Sequence, residues 1–361
     1  MSESSGRTAA EGRQETFAIA VMGPTGTGKS TFINLLTNSD FGVGNDLESC
    51  TDSVHFTSPF DLEGKQVILI DTPGFDDTKI TDSDVLKMIA ASLSLIRGSH
   101  LKLAGVIYMH RIIDNRMGGI SGRNFRMFRH LCGDSSLSNV VIVTSMWDQI
   151  ATELGEAREV ELKTKPIFFE PVIARGARIA RHNNTTESAR SIIRSILSRH
   201  SEQSTLQIQE ELEAGISINA TKAGQELDKD LRERSVRHQD ELRVVMEEMR
   251  EAIRLRDEES RKDLALEREK LEVMIKRLEH ESASLASGYA EALTRLGAKF
   301  QSSVKPLAPR SSFSSFAQPV VAAAETESNA ILEGKIAAAF PILGFWGRLA
   351  VMLAPFSLSW K

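Results

Sequence analysis

From residue 17 to about residue 200, short apolar runs alternate with helical patterns. "FAIAVMG", "VHFTSPF", "QVILID", "AGVIYMH", "VVIVTS" and "ARIARH" are compact apolar stretches and predict strands. Between them "STFINLLT", "DVLKMIAASLSLIR", "GRNFRMFRHL" and "ESARSIIRSIL" predict helices. Such alternation predicts an α/β domain, a sheet of mostly parallel strands between layers of helices.

The pattern changes near residue 201. From there to about residue 300 there is no proline, and Glu, Arg, Lys and Asp fill the chain. Leu264, Leu271, Leu278 and Leu285 recur at heptad spacing, which predicts a long helix with a coiled-coil seam or a helical hairpin. Polar residues near Ser235 and Ser260 interrupt the seam, and a solvated helix laid back on the first domain is the alternative. Residues 302–319, "SSVKPLAPRSSFSSFAQP", have the composition of a linker. Beyond it, Ile336 to Trp360 is apolar and long enough to cross a bilayer. Arg348, Pro341 and Pro355 weaken that reading. Membrane contact, docking on the coiled region or a partner, and burial in the first domain all stay open for this stretch. The expected organisation is a disordered tail (1–16), the α/β domain (17–200), the charged helical region (201–300), a linker (301–320) and an apolar tail (321–361).

Composition narrows the classes further. The chain has 361 residues, 41% hydrophobic and 26% charged, enough to bury a real core, and a net charge of −5 that argues against general nucleic-acid binding. Two cysteines, Cys50 and Cys132, are too few for a disulfide framework and fit a reducing compartment, the cytoplasm. The polar start "MSESSGRTAAEGRQET" has no apolar core of a secretory signal.

The candidate chemistry begins behind the first strand. "GPTGTGKS" matches G-x-x-x-x-G-K-[ST] and stands between a predicted strand and a predicted helix, the context that motif needs. The backbone of Gly23, Pro24, Thr25, Gly26, Thr27, Gly28, Lys29, Ser30 and Thr31, through the N–H groups of every residue but Pro24, would cradle phosphate oxygens at a helix N-terminus. Lys29 would reach the β- and γ-phosphates, and Ser30 would give its hydroxyl to Mg²⁺. A second apolar run ends in "DTPG", where Asp71 is placed to hold Mg²⁺ and Gly74 to offer an N–H to the γ-phosphate. In the polar loop between them Thr51 is the first choice for the hydroxyl that closes over Mg²⁺, with Ser49 and Ser53 as alternatives. "VVIVTSMWD" places Asp148 where a carboxylate would accept from the N1 and N2 donors of guanine; a helix-capping aspartate is the other reading. The expected ligands are GTP or GDP with Mg²⁺. ATP remains an alternative.

Together "GPTGTGKS", "DTPG", "TSMWD" and the later "RHNN" resemble the G domains of the septin, Toc import-receptor and GIMAP group of GTPases, over roughly residues 17–200. The wording "DTPGFDD" and "AGVIYMHRI" is similar to that of G-domain proteins from filamentous fungi. The resemblance implies a P-loop sandwich, phosphate, magnesium, switch and base roles for Lys29, Ser30, Thr51, Asp71, Gly74 and Asp148, and closure over the base by His182 and Asn183. A loop leading into a helix capped by Thr185 or Thr186 is the competing reading for the last two. Two departures stand out. Ser145-Met146 replaces the usual Asn-Lys before the base-reading aspartate, and Phe75 stands where a glutamine would orient water. Slow hydrolysis follows, helped by an arginine offered across a homodimer: Arg111 first, then Arg116 and Arg123. The functional expectation is a GTP-binding switch whose helical arm transmits its state. A septin-like scaffold that keeps its nucleotide and assembles through its coil is the alternative.

Overall fold

The computed structural model describes residues 15–37, 53–77, 79–114, 120–199, 205–255 and 257–304. The chain divides into two units, Met1–Arg310 and Ser311–Lys361, and every described residue belongs to the first. Thr51, Cys50, Arg116 and the apolar stretch Ile336–Trp360 lie outside the described residues. Among the described residues no helix is long and apolar enough to cross a membrane.

Strand and helix alternate in the order β1 (Thr16–Met22), α1 (Lys29–Thr37), β2 (His55–Phe56), β3 (Phe60–Leu62), β4 (Lys65–Asp71), α2 (Asp82–Arg97), β5 (Lys102–Arg111), α3 (Ile120–Cys132), β6 (Val140–Ser145), α4 (Thr152–Thr164), α5 (Glu170–Ile173), β7 (Arg178–Arg181) and α6 (Thr186–Leu197). They form one sheet in the order β2-β4-β1-β5-β6-β7, with β3 also paired to β4. Pairing is parallel from β4 through β1, β5 and β6 to β7; β2 and β3 run antiparallel to β4. The single run "VHFTSPF" is thus two short strands. Central strands buried on both faces explain the continuous apolar runs of β1 and β4.

On one face Phe32 and Ile33 of α1 and Ile192, Ile193 and Ile196 of α6 pack with Ile19, Val21, Leu69 and Ile107 of the sheet. On the other, Tyr108 of β5 meets Phe125 and Phe128 of α3, whose Phe125 ring lies 4.6 Å from Phe169. Helix ends follow local chemistry. Thr81 caps α2 by accepting from the Asp84 N–H, and Thr185 caps α6 by accepting from Ser188. The apolar pattern leaves α4 out because it buries only Gly155, Glu159 and Leu162, too narrow a stripe to show a period.

The charged region folds as α7 (Gln207–Glu213), α8 (Lys222–Leu255), α9 (Glu258–Leu285) and α10 (Tyr289–Val304). Helices α8 and α9 form a hairpin. Leu271, Leu278 and Leu285 are buried, and Leu264 is half-buried. Helix α9 thus packs along the chain's own α8, the helical-hairpin form of the two expected. The region is not a free arm. Helix α2 is buried almost all round, from Val85 and Leu86 through Met88, Leu93 and Ile96. A helix apolar on every side needs cover on every side. Gln209 of α7 donates to the Leu93 carbonyl at 2.7 Å, Glu281 of α9 accepts from the Ser83 N–H at 3.2 Å, and Ser94 and Tyr289 of α10 bond at 2.9 Å. At the sheet edge Phe300 of α10 stands edge-on to Phe56 of β2, and Lys299 donates to Ser53 at 2.9 Å.

Candidate functional site

The strand–loop–helix from β1 to α1 wraps tightly. Gly23 has φ +140°, and a Cβ there would come within 2.4 Å of the Met109 carbonyl oxygen on β5, so no other residue fits. Thr27 Oγ1 donates to the Pro24 carbonyl at 2.9 Å, and Ser145 Oγ at the end of β6 donates to the Thr27 carbonyl at 2.9 Å. Ser145, where the motif departs from Asn, fastens the loop from behind.

Lys29 is buried, and its ammonium donates to the carbonyls of Gly23 and Pro24, each at 3.0 Å. Burial pulls its pKa down to about 8, against the attraction of Asp71 and Asp77. Ser30 Oγ donates to Asp71 Oδ2 at 2.7 Å. Asp71 is fully buried, which raises its pKa; the Ser30 hydrogen bond, Lys29 and His55 oppose the rise. Its Oδ1 has no hydrogen-bond partner among the described residues, and neither has Thr25 Oγ1 or Asp77 Oδ2. Thr31 stands half-buried in the first turn of α1. Gly74 presses on the loop: a Cβ would fall 2.4 Å from the Thr25 nitrogen.

Interior polar atoms are almost always paired. Unpaired oxygens on Asp71 and Asp77, whose charges act on the buried Lys29 ammonium, and on Thr25 of the same loop are the chemistry of a site shaped for an added ligand. Serine hydroxyl and carboxylate are hard oxygen donors suited to Mg²⁺, which binds few protein ligands and keeps waters and phosphates. Among the described residues no cluster of three or more His, Cys, Asp or Glu could hold a metal alone. The residues present fit a metal shared with phosphate.

The far rim is built differently. Met146 takes the left-handed conformation, φ 61° and ψ 38°, and turns the chain into a short 3₁₀ turn, Trp147–Gln149. Trp147 Nε1 donates to Thr144 Oγ1 at 3.0 Å, and the Arg181 guanidinium covers its ring at 4.2 Å. Asp148 is left exposed on this anchored turn. His182 is buried: its Nδ1 bonds Ser188 Oγ at 2.8 Å and its ring meets Phe32 edge-on at 5.0 Å. Burial lowers its pKa to about 4, so the ring is neutral. Exposed Asn183 accepts from Thr185 Oγ1 at 2.7 Å. Here the structure has the helix-entry loop capped by Thr185, and it turns His182 toward the core.

The arginines separate. Arg111, at the end of β5, pairs with Asp114 at 3.0 Å, and its Nη1 is 3.5 Å from where a Cβ on Gly26 would stand. It lies beside the phosphate loop of its own chain. Arg123 is not a finger. It is buried, with Nη2 3.2 Å from Asp82 Oδ2 and 3.6 Å from Asp76 Oδ1, and Nη1 3.2 Å from Asp230 Oδ2 on α8. A guanidinium committed to three carboxylates cannot serve a phosphate. Sequence reasoning missed Asp230, which lies far from the motifs in sequence, Asp82, which follows "DTPGFDD" by five residues, and Asp77, which stands in the quoted "DTPGFDD" without a role.

Residues 18–120 match the family profile described as 50S ribosome-binding GTPase. The chain carries a P-loop GTPase G domain, a GTP-binding module. Two curated relatives match shorter stretches. The tRNA modification GTPase MnmE of Pelagibacter ubique is 36% identical over 66 residues, 18% of this chain and 15% of that protein. GTPase Era of Mycoplasma genitalium is 34% identical over 77 residues, 21% of this chain and 27% of that protein. The match thus spans a small part of either relative. The crystal structure of Toc33 from Arabidopsis thaliana with Mg²⁺ and GMPPNP aligns at a TM-score of 0.39 and 14% identity, over 52% of this chain and 87% of that one.

Proposed function

We propose that this chain is a GTP-binding switch that hydrolyses GTP slowly with Mg²⁺, of the septin, Toc and GIMAP group of G domains. The observation that carries this reading is the buried set behind the phosphate loop: Lys29 on the loop carbonyls, and Ser30 on an Asp71 whose second oxygen has no partner. Lys29 would exchange the carbonyls for β- and γ-phosphate oxygens. Ser30 and Asp71 would hold Mg²⁺, which supplies charge neutralisation between the two phosphates. Thr51 and the Gly74 N–H would close on the γ-phosphate, and Asp148 and Asn183 would meet the base. His182 would support that rim from inside.

The helical region would read the state of these loops. Lys299 holds Ser53, two residues past Thr51 in sequence, and Arg123 joins Asp76, just past Gly74, to Asp230 on α8. Arg111 would bring positive charge to the γ-phosphate, from its own chain or across a homodimer. A rate per molecule that is flat with protein concentration assigns it to its own chain; a rising rate favours the dimer.

Mass spectrometry of nucleotide released from the purified chain, with oligomeric mass and phosphate release measured alongside, tests the reading. GTP or GDP near one per chain, with Mg²⁺-dependent phosphate release, supports it. Bound ATP or no bound nucleotide, with no affinity for added GTP, overturns it.

A further inference from the structure

The GTP reaction needs a group that orients water, and Phe75 offers none: its side chain is apolar and buried. Two residues on, Asp77 is also buried, 8% exposed. One carboxylate oxygen does structural work. Oδ1 accepts from the Lys79 N–H at 2.7 Å and the Ile80 N–H at 3.4 Å, which shapes the turn before α2. The other, Oδ2, is buried with no partner among the described residues. The turn needs one oxygen, so nothing in the loop accounts for the second.

Its location is informative. Asp77 is one of the two carboxylates whose charge acts on the buried Lys29 ammonium, Asp71 being the other. Asp71 is engaged by Ser30, on the side where the metal would stand. Asp77 follows Gly74, which presses on Thr25 of the phosphate loop. It stands three residues past Gly74, in the segment given above to the γ-phosphate, and its charge is felt at the lysine. A lone carboxylate oxygen there accepts a hydrogen bond from water and cannot accept one from phosphate.

We propose that Asp77, through Oδ2, binds and orients the water that attacks the γ-phosphate, the task that Phe75 leaves undone. This rests on the GTP hydrolysis proposed above. The water oxygen forms a bond to the γ-phosphorus, and the bond from that phosphorus to the β–γ bridging oxygen breaks. Its electron pair stays on GDP. The proton of the attacking water passes to Asp77 Oδ2 and then to the released inorganic phosphate, so the carboxylate is regenerated.

The test uses the full chain and Asp77→Asn, which keeps an Oδ1 for the Lys79 and Ile80 N–H groups and loses the free acceptor. Four quantities are measured with Mg²⁺: affinity for GDP, affinity for GMPPNP, the tightening of GDP binding by aluminium fluoride, and single-turnover phosphate release. The expected variant binds GDP as the wild type does. It binds GMPPNP equally or more tightly, because a negative charge near the γ-phosphate is gone. It loses the aluminium fluoride effect and releases phosphate about 10²-fold more slowly or worse. Phosphate release within about threefold of wild type overturns the proposal, since a positioned acid–base group contributes far more than that. Affinities for GDP and GMPPNP that fall together with the rate also overturn it, because they assign Asp77 to the shape of the loop alone. A wild-type chain that binds GTP without hydrolysing it overturns this inference and leaves nucleotide binding standing. A wild-type chain that binds neither nucleotide removes the GTP reading itself.

Discussion

Two buried sets of charges lie in this molecule, and they are finished to different degrees. At the base of the helical hairpin Arg123 faces Asp82, Asp230 and Asp76, and Glu281 accepts from the Ser83 N–H at the start of α2. At the phosphate loop the Lys29 ammonium has only two carbonyls, and oxygens of Thr25, Asp71 and Asp77 have no partner among the described residues. Arg123 Nε has no hydrogen-bond partner among the described residues, but the charge of its guanidinium is matched by carboxylates of the chain, whereas at the phosphate loop whole oxygens stand unpaired beside a lone ammonium. Burial without a partner costs free energy, so a set whose charges are matched within the chain marks architecture, and a set left open marks a place where something else completes it. The contrast separates arginines and lysines that look alike in the sequence.

Substitution sharpens the comparison most at the closed set. Arg123→Ala strands buried carboxylates and should cost about 3–5 kcal/mol of stability, read as a lower urea midpoint. The folded fraction should hold GTP within about tenfold of wild type, because the phosphate loop is a separate site. A midpoint unchanged to within about 1 kcal/mol would show that the three carboxylates do not depend on Arg123.

The open set should answer in reverse. Lys29→Ala should weaken GTP by about 10²–10³-fold, since it removes the charged partner of the phosphates. Its unfolding free energy should stay within about 1 kcal/mol, because the ammonium is a desolvated charge that the fold accommodates at a cost. Equal GTP affinity in the variant would remove the phosphate assignment.

At the exposed rim the effect should be smaller and selective. Asp148→Asn should weaken GTP by about 10–100-fold, the worth of charge-assisted hydrogen bonds, and weaken xanthosine triphosphate less. A parallel loss for both nucleotides would show that Asp148 does not read the base.

The gentlest probe is pH. With a pKa of about 8 in the free chain, Lys29 is charged below that value, and GTP affinity should be flat there. Phosphate favours the charged form and raises the pKa. Above pH 8 binding must take up a proton, and affinity should fall by up to about tenfold per unit. Stability of the free chain runs the other way. The folded pKa lies below the ordinary lysine value of 10.5, so the unfolded chain binds more protons between the two values and stability rises across that window. Titration calorimetry in buffers of different ionisation heat reads the uptake, and Lys29→Ala should abolish it.

How much of this was legible follows the reach of each signal. The phosphate loop and "DTPG" are contiguous, and their backbone demands are written in adjacent residues: a glycine at φ +140°, a strand before, a helix after. The heptad leucines announced a buried stripe, and the stripe is there. The pattern could not say that α8 would lie along α9, because periodicity marks which face is buried and not what buries it. Helix α2 carried the same partial message: its apolar residues cover more than one face, and α7, α9 and α10 supply the cover. "RHNN" points to closure over the base only through a likeness of loops, and packing sends His182 inward against Phe32.

By itself, then, the sequence determined the class of the G domain, the strand–loop–helix proposed to hold the phosphates, the parallel sheet and the presence of a long charged helical region. These are local properties, set by the conformational limits of glycine and proline and by the period of apolar positions. The tertiary structure decided which charges are closed and which are open. Asp230 reaches Arg123 across 107 positions and Glu281 reaches Ser83 across 198. Partnership at such separations leaves no local trace, because electrostatic pairing depends on distance in space and the chain records only distance along itself.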